Sequence, residues 1–171
     1  MGLPKIQTAT LVHSVHRWEQ LPPPGRPEIA FWGRSNVGKS SLINTLVHRR
    51  RLVRTSSRPG CTRSLNFFLI NQRWYFVDLP GYGYAAVPAA VQERWLRLCA
   101  SYLEERPSLR GLVFLWDCRR QLTEEELTLF THFQAWSRPL LLVLTKADKI
   151  SRRERPRIWG EVTHTLAAAG C

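Results

Sequence analysis

The run Gly33-Arg34-Ser35-Asn36-Val37-Gly38-Lys39-Ser40 directly follows the apolar stretch Ile29-Ala30-Phe31-Trp32 and precedes apolar residues at helical spacing, Leu42, Ile43 and Leu46. A G-x-x-x-x-G-K-S segment between a strand and a helix admits few folds. Its glycines let the backbone turn tightly, so that successive N–H groups converge on the α- and β-phosphates of a nucleotide. Lys39 brings a point charge to the β/γ oxygens and Ser40 a hydroxyl for Mg²⁺. A helix beginning at Lys39 aims the positive end of its dipole at the same anion. Residues Gly33 to Ser41 are therefore the expected cradle of a nucleoside triphosphate.

The rest of the chain alternates strands and helices. Residues 1–27 form an N-terminal arm ending in Leu21-Pro22-Pro23-Pro24-Gly25-Arg26-Pro27, whose prolines deny a helix. Residues 28–171 form the nucleotide-binding domain. Asn66–Ile70 and Arg73–Val77 are two strands joined at Asn71-Gln72, a two-residue hairpin turn although not a favoured pair. Apolar spacing predicts a helix over Pro88–Leu103 and a strand over Leu112–Trp116, stopped by Asp117. Thr123 caps a helix with an acidic first turn and an inward face of Leu127, Phe130, Phe133 and Trp136. A buried strand, Leu140–Leu144, leads into Thr145-Lys146-Ala147-Asp148, and a last helix covers Ser151–Ala169 with Pro156 in its opening turn. The expected fold is α/β: a mostly parallel open sheet with one antiparallel hairpin strand and helices on both faces, the ligand lying above the carboxyl ends of the strands.

Asp78-Leu79-Pro80-Gly81 ends the second hairpin strand. There Asp78 can hold the Mg²⁺ shell through water and the Gly81 N–H can reach a γ-phosphate, so the segment can sense whether that phosphate is present. Asp148 offers a carboxylate to two adjacent donors, as guanine displays at N1–H and its 2-amino group. Adenine has neither, so one carboxylate discriminates.

Charge adds a second constraint. The 171 residues carry a net +12, and a phosphate loop needs only one lysine. Nucleic acid is the first candidate for a large anionic partner, a general arginine-rich drift being the other source of such charge. His48, Arg49, Arg50, Arg51, Arg54, Arg58 and Arg63 fall within one segment, a mobile loop by composition. No apolar run is long enough to cross a membrane and the N-terminus has no signal core, so a cytoplasmic protein is expected. Cys61, Cys99, Cys118 and Cys171 lack zinc-type spacing and are expected as reduced thiols.

Together the segments G-R-S-N-V-G-K-S-S-L-I-N (33–44), R-P-G-C-T-R-S (58–64), D-L-P-G-Y-G-Y-A (78–85) and L-T-K-A-D-K (144–149) resemble the EngB (YihA/YsxC) family of ribosome-assembly GTPases, in the translation-factor class. The resemblance implies GTP/GDP and Mg²⁺ as ligands, GTP hydrolysis with slow intrinsic turnover, and a monomer acting on the large ribosomal subunit or its precursor, both rRNA and ribosomal proteins. It makes Thr62 the switch threonine that closes on Mg²⁺ beside Ser40 and Asp78. Thr145, Lys146 and Asp148 become the guanine site, with Lys146 laying its stem along the base and the Thr145 hydroxyl tying the base loop to the phosphate loop. Lys39, Thr62, Gly81 and Asn36 are the implied catalytic groups, Asn36 as a side-chain oxygen for K⁺ beside the phosphates. Tyr82 stands where Ras-like switches place the water-orienting glutamine. The family pattern has Lys where Cys61 stands. It also continues past residue 171 into a strand, a Ser-bearing loop and a helix, so a C-terminally truncated chain is expected. Alternatives are a GTP-gated RNA-binding module with negligible hydrolysis and, disfavoured by Asp148, a P-loop ATPase or small-molecule kinase.

Overall fold

The computed structural model describes residues 5–49, 52–53, 64–83, 88–134 and 138–168. Thr62, the arginines at 50, 51, 54, 58 and 63, Trp136, Cys61 and Cys171 lie outside them.

Six strands form one sheet: β1 (Ala9–Val15), β2 (Glu28–Gly33), β3 (Leu65–Ile70), β4 (Trp74–Asp78), β5 (Leu109–Asp117) and β6 (Leu140–Thr145). Their spatial order is β1-β3-β4-β2-β5-β6. β3 runs antiparallel to both its neighbours, while β4, β2, β5 and β6 pair in parallel, so β3 is the one antiparallel strand expected from the hairpin. The hairpin turns at Asn71 and Gln72, which both take positive φ (48° and 56°), with Arg73 N–H donating to the Ile70 carbonyl at 3.0 Å. Both central residues left-handed define a type I′ turn, whose twist matches the strands it joins. Asn71 also accepts from the Gln7 and Thr8 N–H groups and donates to the Lys5 carbonyl, so its side chain stitches the arm to the turn.

The arm is thus more than a lead-in, since β1 extends the sheet. Leu11 and Val12 are exposed and β1 shifts register between Leu11 and His13, which is why no alternation marks it in the sequence.

Helix α1 (Lys39–Leu46) lies on one face, its Ile43 packed with Val47, Phe31, Phe68, Phe76 and Leu115. Helices α2 (Ala89–Glu105) and α3 (Glu124–Gln134) cover the other, where Cys99, Tyr102, Leu103, Phe130 and Phe133 meet Ala30, Trp32, Phe67, Val77 and Phe114. Helix α4 (Glu154–Ala168) joins that second face through Val162, Trp116, Leu142 and Leu144. Both late helices start with reciprocal caps. Glu126 accepts from the Thr123 N–H while Thr123 Oγ1 accepts from the Glu126 N–H, and Glu154 and Ser151 repeat the pattern. Pro156 falls in the first turn of α4, where its missing N–H costs nothing.

β6 departs from expectation. It was expected to be buried, yet Leu140 is 37% and Leu141 59% exposed, because β6 is the sheet edge and, among the described residues, α1 alone packs on the face to which Leu141 belongs.

At the far end of the sheet from the phosphate loop, Glu28 opens β2 fully buried. It accepts two bonds from Arg106 Nε at 3.0 Å, one from Arg106 Nη2 at 2.6 Å and one from the Tyr102 hydroxyl at 2.8 Å. Arg106 Nη2 also donates to the Pro22 carbonyl at 2.9 Å, fastening the proline-rich segment to the domain.

Candidate nucleotide site

β2 is flanked by β4 on one side and β5 on the other, so the chain leaves its carboxyl end at the point where strand order reverses. The phosphate loop sits at that point. Val37 N–H closes a turn onto the Arg34 carbonyl (3.1 Å), and Asn36 within it takes φ 62°, a left-handed conformation that asparagine tolerates. Gly38 precedes α1 with φ 112°, a region closed to side chains, and leaves the first N–H groups of the helix without intrahelical acceptors.

The loop after β4 is laced to this cradle. Trp32 Nε1 donates to the Pro80 carbonyl (3.0 Å), Leu79 N–H to Phe31 and Ser35 N–H to the Tyr82 carbonyl (both 3.0 Å). Gly81 rests on Ser35 so closely that a Cβ there would meet the Ser35 N and Cα at 2.9 Å, a backbone collision. Any residue but glycine would push the second loop off the first.

Lys39 and Asp78 form a buried ion pair at the centre. Only Asp78 Oδ1 is engaged. Oδ2 is buried and, among the described residues, without a hydrogen-bond partner. An acceptor left this way costs on the order of 1–3 kcal/mol, and a water of a Mg²⁺ shell held by Ser40 would relieve it. The residues present thus fit the metal, which when bound neutralises charge on the β- and γ-oxygens.

Tyr82 faces away from this centre. It is 2% exposed, lies between Trp32 and Phe114, and its hydroxyl donates to Glu126 at 2.9 Å. Burial first, and then the Glu126 carboxylate, push its pKa far above the ordinary phenol value. The glutamine position of Ras-like switches is therefore a core anchor here. Replacing Tyr82 by Phe is expected to cost about 1–3 kcal/mol by stranding part of Glu126, lowering Tm by about 2–4 °C per kcal/mol, while GTP turnover per folded molecule holds within about two-fold. A large loss of turnover at unchanged Tm would instead make the phenol a catalytic group.

At the end of β6, Asp148 is an exposed carboxylate within a short 3₁₀ turn, paired with Lys149 at 3.2 Å, which holds its pKa below the usual range. Lys146 adopts φ 57° and its Nζ lies 3.0 Å from Asp117 Oδ2. The expected hydroxyl bridge from Thr145 to the phosphate loop is not made. Thr145 Oγ1 donates to the Trp116 carbonyl at the end of β5 (3.1 Å). The approach to the phosphate loop is apolar instead, a Cβ on Gly38 lying 3.9 Å from Thr145 Cβ and Cγ2.

Of the residues expected at the site, the structure joins Lys39 to Asp78 and Ser35 to Gly81, and sets Thr145 against Gly38, while Asp148 meets its neighbour Lys149. Two others carry weight without having been singled out. Asn44, within α1, pairs through its amide with both the N–H and carbonyl of Val53 at 2.9 Å, tying Val53 back to the helix. Asp117, met in the sequence only as the stop of a strand, binds Lys146 and Arg119 together. An acid at the carboxyl end of a strand beside the base loop was the available signal.

The motifs G-x-x-x-x-G-K-S, D-x-x-G and T-K-x-D at the carboxyl ends of β2, β4 and β6 of this open sheet are those of a P-loop GTPase, an enzyme that binds GTP and hydrolyses it. The family described as 50S ribosome-binding GTPase matches residues 28–146. The probable GTP-binding protein EngB of Halothermothrix orenii is 52% identical over 153 residues, spanning 90% of this chain and 77% of that protein. Its counterpart from Geobacter metallireducens is 48% identical over 165 residues, 96% and 81% of the two chains. The crystal structure of a probable GTP-binding protein EngB superposes with a TM-score of 0.66 at 25% identity, covering 82% of this chain and 80% of the other. A GDP–AlF4⁻-bound Era variant from Aquifex aeolicus shares the fold, with a TM-score of 0.64 at 24% identity over 82% and 48% of the chains. The chain belongs to the EngB family of GTP-binding proteins.

Proposed function

We propose that this GTPase is a molecular switch that assists assembly of the large ribosomal subunit, docking on rRNA and ribosomal proteins in the cytoplasm as a monomer. The match to the 50S ribosome-binding GTPase family carries the reading. The net charge of +12 supports it independently, since cationic side chains gain affinity by releasing counterions from RNA phosphates.

In this reading the phosphate loop, Gly33 to Ser41, binds the β/γ-phosphates with Lys39, Ser40 and Asp78 hold Mg²⁺ with Thr62, and Thr145, Lys146 and Asp148 hold guanine. The Gly81 N–H senses the γ-phosphate. In the structure Gly81 sits on Ser35 and Lys39 is spent on Asp78. A γ-phosphate that draws Lys39 away frees Asp78 for the metal shell, which links the cradle to the second loop.

Hydrolysis alone is slow, because Tyr82 is buried and no carboxamide stands at its position. This also favours a second reading, a GTP-gated binding module whose turnover is negligible. GTP hydrolysis with and without large-subunit particles separates the two, as the switch reading expects strong stimulation by the particle and the module reading none. If the Asn36 side chain binds K⁺ beside the phosphates, turnover is faster in KCl than in NaCl at equal ionic strength, and Asn36→Ala abolishes the difference while GDP affinity stays within about three-fold. Equal rates in both salts, free and particle-bound, leave Asn36 with only its loop-turn role.

A further inference from the structure

Asp117 and Thr145 are register partners at the ends of β5 and β6, so the base loop begins beside the Asp117 carboxylate. That carboxylate is saturated with positive charge. Oδ1 accepts from Arg119 Nε at 2.9 Å and from the Arg119 N–H at 3.1 Å, while Oδ2 accepts from Arg119 Nη2 at 2.7 Å and lies 3.0 Å from Lys146 Nζ. It is 7% exposed, and the Arg119 bonds, followed by those of Lys146, hold its pKa well below the usual carboxylate range. Asp148, by contrast, lies open, paired with Lys149 at 3.2 Å, and the Arg119 charge adds to that of Lys149 in holding its pKa down.

The geometry points to Asp117 as a positioning residue of the guanine site, a carboxylate that keeps the Lys146 and Arg119 cations off the base-reading carboxylate of Asp148. Lys146 holds a left-handed backbone that a side chain adopts only when its surroundings secure it. The contact to Asp117 supplies that hold. Without it, Arg119, whose charge already acts on Asp148, and Lys146, two residues before Asp148 in the same loop, lose the carboxylate that holds them. Asp148 already carries one exposed pairing, with Lys149 at Oδ2, and a second cation there would occupy the remaining lone pairs that guanine N1–H and the 2-amino group require, so guanine would have to break it to bind. The inference rests on the reading of Lys146 and Asp148 as the base site.

The test uses the full chain, a fluorescent GDP analogue, and GDP and XDP as competitors. Asp117→Asn keeps the shape while removing the charge. It is expected to weaken GDP by about ten-fold or more, to raise KM for GTP without lowering kcat, and to leave Tm within about 2 °C. In an Asp148→Asn background, where no carboxylate remains to be blocked, adding Asp117→Asn should change XDP affinity by less than about three-fold. Asp117→Glu should restore part of the GDP affinity.

An Asp117→Asn chain that binds GDP as the wild type does would overturn the inference. So would equal weakening of GDP in one background and XDP in the other, accompanied by a lower Tm, which is the signature of a merely structural residue. Should Asp148→Asn itself keep the guanine preference, the base-site reading falls and takes this one with it. If Asp148→Asn switches preference while Asp117→Asn is silent, the positioning role alone is lost.

Discussion

Asp148→Asn is expected to invert the nucleotide preference of the protein, weakening GDP and GTP by about 10- to 10³-fold and strengthening XDP relative to GDP. Guanine presents two donors side by side to a carboxylate that the structure leaves accessible, with the neighbouring Lys149 as its ion-pair partner among the described residues. An asparagine amide offers one acceptor and one donor. Against guanine the amide N–H₂ would meet the 2-amino group, donor to donor, whereas against xanthine it meets the 2-oxo group. Competition titrations with GDP, XDP and ADP check this. A mutant that retains wild-type guanine preference would remove Asp148 from the base site, and tight ADP binding by the wild type would contradict a guanine site altogether.

The second large effect lies at the opposite end of the sheet. Arg106 and Glu28 have side chains 5% and 1% exposed, and Arg106 is the only cation the structure pairs with Glu28 among the described residues. Changing Arg106 to Met leaves a carboxylate buried with only the Tyr102 hydroxyl to satisfy it, which costs about 3–5 kcal/mol. It also frees the Pro22 carbonyl. With Tm moving about 2–4 °C per kcal/mol in a chain of this size, a drop of roughly 6–20 °C is expected. Replacing both partners, Arg106→Met with Glu28→Leu, should recover most of it, because the cost comes from the stranded charge and not from the loss of the pair itself. Nucleotide affinity of the folded protein should hold, since Glu28 is five residues and a full strand length from the phosphate loop. A double mutant no more stable than the single one would show that the pair contributes to stability beyond satisfying its own charges.

The phosphate loop and the base loop were legible because their chemistry is local, since each needs adjacent residue types within a few positions of a strand end. The hairpin at Asn71-Gln72 was legible for the same reason. What escaped depends on which strands become neighbours. Asp117 meets Lys146 only because β5 and β6 pair in a particular register, and nothing local to Trp116-Asp117-Cys118 specifies that. β1 escaped because an edge strand buried mainly at Ala9 and Val15 has no alternation to detect. Tyr82 could be read as unfit to orient a water, but its inward turn toward Glu126 follows from the cap that Glu126 forms at α3, a tertiary contact. The continuous apolar run Leu140–Leu144 reads as buried, although an apolar strand at a sheet edge is covered only as far as its neighbours reach.

The most direct test of a GTP-gated role on the ribosome is co-sedimentation of the protein with large-subunit precursor particles in GTP with a non-hydrolysable γ-phosphate, in GDP, and without nucleotide. The expected result is retention on the particle with the GTP analogue and release in GDP, with retention falling as salt rises. Equal sedimentation in all three states, or none in any, would contradict it.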